Sequence, residues 1–222
     1  SKNYANQIEG SDMAKSALIV VDIQNDFLPN GSMGIANAAD SIIPLINTLV
    51  KLPFDTCVAS GDFHPPHHCS FASTWGKKPG ESIVIDGVEQ MLWPDHCVQG
   101  TYGVEFSPKL DVSHFKHVAH KGVDPKVDSY SIFFDSHKHR STGLDDFFKR
   151  QGITDLYFAG ICTEYCVFYS VMHAVELGYK AHVVLDACYG IDLEPGNIDR
   201  AVKEMVAAGA ELVTTEQVGK RF

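Results

Sequence analysis

Two cysteines stand four positions apart in the stretch "GICTEYCV", directly after the apolar run "DLYFAG". Cys162 and Cys166 could bind a metal, form a disulfide or pack in a core, or one of them could be a nucleophile. A zinc pair normally has a second ligand pair elsewhere, and none is visible. If Thr163 caps a helix, Cys166 lies in its first turn, where the helix dipole lowers a thiol pKa. This placement favours a nucleophilic Cys166, with a buried, inert cysteine as the alternative.

Other reactive side chains follow apolar runs that resemble strands. Asp22 follows "ALIVV", Asp62 and His64 follow "TCVAS", and Lys121 follows "KHVAH". The carboxyl ends of parallel strands meet at one edge of a sheet, so we expect these residues to lie near Cys166. A carboxylate there can accept the thiol proton, and an ammonium group can stabilise the resulting anion.

A metal site is the second chemistry that the sequence allows. Asp62 and His64 alternate along an extended segment, so their side chains point the same way. His96, in "LWPDHC", could complete the set, and one carboxylate with two imidazoles suits zinc, iron or manganese. His67 and His68 could be spectators or a fourth ligand. Because the chain has 11 histidines, any one of them could also be an ordinary surface residue.

Short apolar runs alternate with helical patterns along the chain. The strand-like runs are 17–21, 56–60, 116–120, 155–160, 180–186 and 211–215. The helical patterns are 37–52, 143–152, 163–178 and 195–209. Runs that are apolar on both faces are typical of buried parallel strands. The alternation predicts a three-layer α/β/α sandwich around a mainly parallel, roughly six-stranded sheet.

Length and composition narrow the classes of protein. The 222 residues are interpreted as a single domain, residues 1–222, because no linker is apparent. Residues 1–15 are expected to be a flexible leader. Residues 61–115 are rich in Pro, Gly and His, and are interpreted as an irregular insert that carries the metal and substrate site.

Charge and cysteine usage indicate the surroundings of the protein. A net charge of −10 argues against nucleic acid or an anionic membrane as partner. Six cysteines, several within apolar runs, indicate reduced thiols and a cytoplasmic location. An apolar edge could support a homo-oligomer.

Five motifs, in this order, resemble nicotinamidases of the isochorismatase-like cysteine hydrolase superfamily over about residues 16–216. They are "LIVVDIQNDF", "DFHPPHHCSF", "LWPDHCVQGTYG", "HKGVDPKVDSYSIFFD" and "GICTEYCV". The first and last are typical of the superfamily, whereas the Asp-x-His segment and "WPDHC" indicate its metal-dependent nicotinamidase branch. The resemblance implies an isochorismatase-like fold.

The resemblance also implies roles for individual residues. The implied catalytic triad is Asp22, Lys121 and Cys166. The implied ligands of one divalent metal ion, zinc first with iron or manganese as alternatives, are Asp62, His64 and His96. A cis peptide bond between Ile161 and Cys162 would orient the N–H groups of Cys162 and Cys166 into an oxyanion hole. The implied substrate-binding residues are Phe27, Trp93, Tyr130 and Tyr165.

The implied reaction is hydrolysis of nicotinamide to nicotinate and ammonia through a cysteine thioester, in NAD salvage. Isochorismatase proper cleaves an ether and lacks the nucleophilic cysteine, so Cys166 argues against that activity. One alternative is another amide or ureido hydrolase of the superfamily, which would leave the metal ligands without a role. Another is a non-catalytic metal- or ligand-binding protein, which would leave Asp22 and Lys121 unexplained.

Overall fold

Six parallel strands form the central sheet of this computed structural model, which describes residues 14–35 and 39–222. The strands of this sheet are β1 (Lys15–Val21), β2 (Thr56–Asp62), β5 (His117–Lys121), β6 (Ile153–Ile161), β7 (Lys180–Tyr189) and β8 (Glu211–Val213). Their order is β5-β2-β1-β6-β7-β8, and every neighbouring pair is parallel. The prediction of a mainly parallel six-stranded sheet is therefore confirmed.

Helices cover both faces of the sheet. The α-helices are α1 (Ile43–Leu49), α2 (Leu144–Arg150), α3 (Phe168–Glu176), α4 (Asn197–Ala207) and α5 (Thr215–Gly219). Alternate residues of β1 face opposite ways, as in any strand. Leu18 and Val20 join a buried cluster that includes residues of α1 and α5. Ile19 and Val21 join a second cluster with residues of α2, α3 and α4. The three layers expected from the sequence are thus present.

The insert at 61–115 contains more regular structure than the sequence analysis predicts. Strands β3 (Ser82–Ile85) and β4 (Val88–Met91) form an antiparallel hairpin. Asp86 and Gly87 connect them, both with positive φ (48° and 79°). An Asp-Gly turn of this kind is a recognised hairpin signal. The strands lack an apolar alternation because most of their side chains are exposed or half-buried, and the interpretation of the insert as irregular is wrong here.

Two further expectations concern the ends of elements. The predicted helix at 37–52 is a 3-10 turn, Ala39–Ile42, followed by α1, and residues 37 and 38 lie outside the described residues. The predicted leader, 1–15, lies almost wholly outside them as well.

All six cysteines are free thiols. Within residues 14–35 and 39–222, no helix is both long and apolar enough to cross a membrane. The cytoplasmic location, the homo-oligomer and the single-domain boundaries stay predictions.

Candidate active site

The carboxyl ends of β5, β2, β1 and β6 bring the predicted reactive residues together. Asp62 and Lys121 end two neighbouring strands and are partners in the parallel register. Asp22 directly follows β1. Cys166 lies in a π-helical turn, Thr163–Val167, that joins β6 to α3. Each residue sits where the sequence analysis places it, at the sheet edge where α/β proteins bind ligands.

Lys121 is the centre of the polar contacts at this edge. Its Nζ lies 2.7 Å from Asp22 Oδ2 and 3.2 Å from Cys166 Sγ, and it also contacts Asp62 Oδ1. The side chain is fully buried. Burial alone would lower the pKa of this ammonium group, but Asp22, Asp62 and Cys166 raise it well above its ordinary value. Lys121 is therefore a buried cation shared by two carboxylates and one thiol.

Asp22 has the surroundings of a general base. Burial raises its pKa, while the charge of Lys121 lowers it and the charge of Asp62 raises it again. Ser60 Oγ donates a 2.8 Å hydrogen bond to Asp22 Oδ1 and so fixes the carboxylate. Apart from its ion pair with Lys121, Oδ2 has no hydrogen-bond donor within the described part of the chain. This oxygen is available to accept a proton.

The thiol of Cys166 differs from the expectation in its ionisation. Burial raises its pKa well above the ordinary value; Lys121 lowers it, and Asp22 and Asp62 raise it again. The expectation of a lowered thiol pKa is therefore wrong, because the net shift is upward. Thr163 does not cap the turn either, because Cys162 occupies the N-cap position without a side-chain cap. A raised pKa favours the thiol form of Cys166, so a neighbouring base is needed to make it a nucleophile.

The peptide bond between Ile161 and Cys162 is cis. It lies at the end of β6, where the chain turns into the segment that carries Cys166. The N–H groups of Cys162 and Cys166 are the predicted oxyanion donors, and this role stays a prediction.

Asp62, His64 and His96 form a group whose ligand atoms could hold one metal ion. The Nε2 atoms of both histidines lie 3.4 Å from Asp62 Oδ2. Nδ1 of His64 donates to Gly122 O at 2.7 Å, and Nδ1 of His96 donates to Pro94 O at 2.8 Å. These bonds leave the lone pair of each Nε2 directed at the group, as in second-sphere support of metal ligands.

Two further features fit a cation at this point. Nε2 of His64 is buried and has no hydrogen-bond partner among the described residues, which is costly unless something binds there. Gly122 has a φ of +65°, in the left-handed region that favours glycine, and a Cβ there would lie 2.3 Å from His64 Cε1. Glycine at 122 therefore allows its carbonyl to orient the imidazole of His64. The residues present fit a divalent metal.

The other two histidines of the segment have different surroundings. His67 is exposed, with φ 62°. His68 is buried; its Nδ1 accepts from Ser70 N at 3.2 Å and its Nε2 faces Val127 O at 3.3 Å. Both ring nitrogens of His68 are thus occupied, and burial lowers its pKa to about 4. His64, His68 and Asp128 form a second group of potential ligands, but His64 has only one free nitrogen for either group.

The predicted substrate-binding residues line one cavity beside these groups. Its walls include the four predicted aromatic residues together with Cys166, Cys162, Asp62 and His96, and also Met33, Asp128 and Ile191. Trp93 Nε1 donates to the Tyr130 hydroxyl at 3.0 Å, and the Trp93 ring meets that of Tyr165 edge to face at 5.1 Å. A flat aromatic molecule in this cavity would contact the thiol and the potential metal ligands together.

Sequence reasoning missed several residues that support the site. The Gln24 side chain pairs with the backbone of Asp62, accepting from its N–H at 2.9 Å and donating to its carbonyl at 2.7 Å. Asp26 Oδ2 accepts from Cys97 N at 2.8 Å, next to His96. Both lie in "VDIQNDF", whose polar residues between apolar ones were a usable signal. Ser60 carried no such signal.

The fold and the site define a class: a hydrolase of the parallel α/β type with a cysteine as its candidate nucleophile. The Isochorismatase domain family matches residues 16–217. The chain belongs to this family of isochorismatase-like hydrolases.

Individual relatives agree with this membership. A nicotinamidase of Acinetobacter baylyi is 42% identical, with 91% of this chain and 94% of the relative covered. The solved structure of a nicotinamidase/pyrazinamidase of Acinetobacter baumanii is similar with a TM-score of 0.89 and 40% identity, over 94% of this chain and 100% of that one. A pyrazinamidase of Pyrococcus horikoshii, solved in complex with zinc, has a TM-score of 0.73 and 31% identity, over 90% and 99%.

Proposed function

We propose that the chain hydrolyses nicotinamide to nicotinate and ammonia through a thioester on Cys166, with a role in NAD salvage. The observation that carries the proposal is the shared cavity. One aromatic-lined space presents the thiol of Cys166 on one side and the potential metal ligands Asp62 and His96 on another. A pyridine carboxamide has a matching pair of ends, the reactive amide carbon and the ring nitrogen. The nicotinamidase relatives support the same substrate.

The first half of the reaction uses Asp22 as base. Its Oδ2 takes the thiol proton of Cys166, and the thiolate sulfur attacks the carboxamide carbon. The Lys121 ammonium, 3.2 Å from Sγ, stabilises the anionic sulfur. The N–H groups of Cys162 and Cys166 hold the oxygen of the tetrahedral intermediate, where one donor can contribute about 3 kcal/mol.

The second half reverses the proton transfers. Asp22 returns its proton to the departing nitrogen, ammonia leaves, and a thioester to Cys166 remains. Asp22 then takes a proton from a water molecule, which attacks the thioester carbon. Nicotinate is released and the proton returns to the thiol. Atoms balance over the cycle: one water is consumed, and one ammonia and one carboxylic acid are formed.

The metal ligands of this chain would be Asp62, His64 and His96. A divalent metal, when bound, supplies an electron-pair acceptor for the ring nitrogen of the substrate. One carboxylate and two imidazoles suit zinc, iron or manganese, and the zinc complex of the Pyrococcus horikoshii relative favours zinc among them. Phe27, whose ring lies 5.6 Å from that of His96, and Trp93 would hold the two faces of the pyridine ring.

The purified protein should release ammonia and nicotinate from nicotinamide in equal amounts. Chelation should abolish this activity and added divalent metal should restore it, because the ring nitrogen loses its anchor without the metal. The measurement is product quantification before chelation, after it and after metal is returned. A metal-loaded protein that leaves nicotinamide intact would contradict the proposal and direct the search to other amides and ureides.

His96→Ala should lower metal content and raise KM for nicotinamide by roughly tenfold or more, since even the loss of a residue that only supports a metal ligand costs about 10- to 100-fold in metal affinity or activity. His67→Ala is the matched control, because His67 belongs to the same insert but is exposed. Metal analysis and steady-state kinetics on both variants give the comparison. Full metal content with unchanged KM in His96→Ala would remove His96 from the site.

A further inference from the structure

Glu164 is a buried carboxylate that the proposed reaction does not use. It is only 7% exposed and lies in the same helical turn as Cys166, two residues before it. An uncompensated carboxylate would be costly in such a position. Its partners are therefore informative about its role.

Both oxygens of Glu164 accept hydrogen bonds from the loop that follows β7. The N–H of Ile191 lies 3.2 Å from Oε1 and 3.1 Å from Oε2, and the N–H of Asp192 lies 2.8 Å from Oε2. Bonds to an ionised acceptor are the stronger class of hydrogen bond. One side chain thus binds two consecutive backbone amides of a loop 27 and 28 positions away.

The same loop is held from its other side. Asp192 Oδ1 accepts from Ile198 N at 3.0 Å, at the start of α4. Gly190 packs so closely that a Cβ would lie 2.6 Å from Ile198 Cδ1 and 2.9 Å from Glu164 Oε1. Ile191 is therefore fixed between Glu164 and α4.

Ile191 is a wall of the cavity that also contains Cys166 and Tyr165. We propose that Glu164 is a positioning residue that fixes Ile191 against the substrate ring and so sets the width of ring that the pocket accepts. This inference rests on the proposed hydrolysis of a pyridine carboxamide. Glu164 does not contact the reacting atoms in this scheme; it acts through the backbone of residues 191–192.

Glu164→Gln tests the proposal while it preserves size. The glutamine amide has only one acceptor oxygen, and its NH2 group would face a backbone N–H. The hold of residue 164 on the N–H groups of Ile191 and Asp192, here called the clamp, is therefore weakened. We expect KM for nicotinamide to rise roughly tenfold while kcat per active site changes less than about twofold, because ring binding and not the chemical step is affected. Glu194→Gln is the matched control, since it makes the same charge change on an exposed residue of the same loop.

Selectivity among ring-methylated nicotinamides tests the width of the pocket, because a loss of stability alone would not change it. Ile191→Ala should raise kcat/KM, relative to nicotinamide, for the isomer whose methyl group contacts Ile191. This gain identifies that isomer. Glu164→Gln should relax discrimination against that same isomer by roughly fivefold, which is a part of the roughly 10- to 200-fold discrimination that a pocket can make over one methyl group. Unchanged selectivity and KM, with only a lower Tm, would overturn the proposal.

Amide hydrogen exchange separates failure of this inference from failure of the proposed function. Exchange at residues 191–192 should speed up in Glu164→Gln and stay unchanged in Glu194→Gln, whatever substrate the enzyme uses. Unaltered exchange in Glu164→Gln would exclude the clamp even if nicotinamide is hydrolysed. Faster exchange in a protein that is inactive towards nicotinamide would keep the clamp and reject the substrate.

Discussion

Replacing Cys166 with alanine should reduce ammonia release from nicotinamide by roughly 10⁴-fold or more, because nucleophile and base act as one unit. The fold and the metal should be retained, since the thiol is not among the potential metal ligands. Cys166→Ser should also be nearly inactive, because Asp22 would have to deprotonate an alcohol in place of a thiol. The measurement is product formation normalised to protein and metal content.

Cys188→Ala is the control for this prediction, because Cys188 is a free cysteine on β7 and does not line the cavity. It should keep wild-type turnover. Rapid quenching of the wild type should trap a nicotinoyl group on Cys166 and on no other cysteine. Substantial ammonia release by Cys166→Ala would reject the thioester route and favour direct attack by water.

Replacing Lys121 with methionine should destabilise the protein by about 3–5 kcal/mol and abolish activity, because two buried carboxylates lose their counter-ion. The charge of Lys121 also lowers the pKa of Asp22, which burial raises. Without Lys121, this pKa rises further, so the folded state favours the protonated carboxyl. The destabilisation should therefore be smaller at mildly acidic pH and larger as the pH rises.

Denaturant unfolding at several pH values measures this effect, with Lys116→Met as control because Lys116 is exposed. Lys116→Met should stay within about 0.5 kcal/mol of wild type. The double variant Asp22→Asn/Lys121→Met should be more stable than the sum of the single effects by roughly 1–3 kcal/mol, since one buried charge is removed with its partner. It should stay inactive. Additive effects would show that the two residues do not share an ion pair.

The sequence was sufficient for features that depend on local order. Asp22, Asp62 and Lys121 directly end or follow apolar runs, and the strand-end rule needs only those runs. The cavity then brings the four predicted aromatic residues beside Cys166, as the resemblance implies. Each of the four aromatic residues lies within one of the five motifs, so its neighbours in the chain are enough to identify it.

Features that depend on distant partners were not predictable. The raised pKa of Cys166 comes from burial and from carboxylates more than one element away, which a local helix-dipole argument does not include. Ser60 reaches Asp22, and Glu164 reaches Ile191, only because the strand order brings their segments together. No spacing within the chain encodes these pairings. Whether His68 has a ring nitrogen free for a metal likewise depends on the carbonyl of Val127, which lies on a separate loop.

The central position of β1 has a consequence for how the chain is made. One edge of β1 pairs with β2, which ends at residue 62, and the other with β6, which begins at residue 153. During synthesis, the second edge of this apolar strand stays unpaired while the ribosome translates everything between those residues. An unpaired strand edge is a template for association with other chains. The stretch that supplies Trp93, His96, Asp128 and Tyr130 to the pocket is therefore translated while this strand edge is still open to association with other chains.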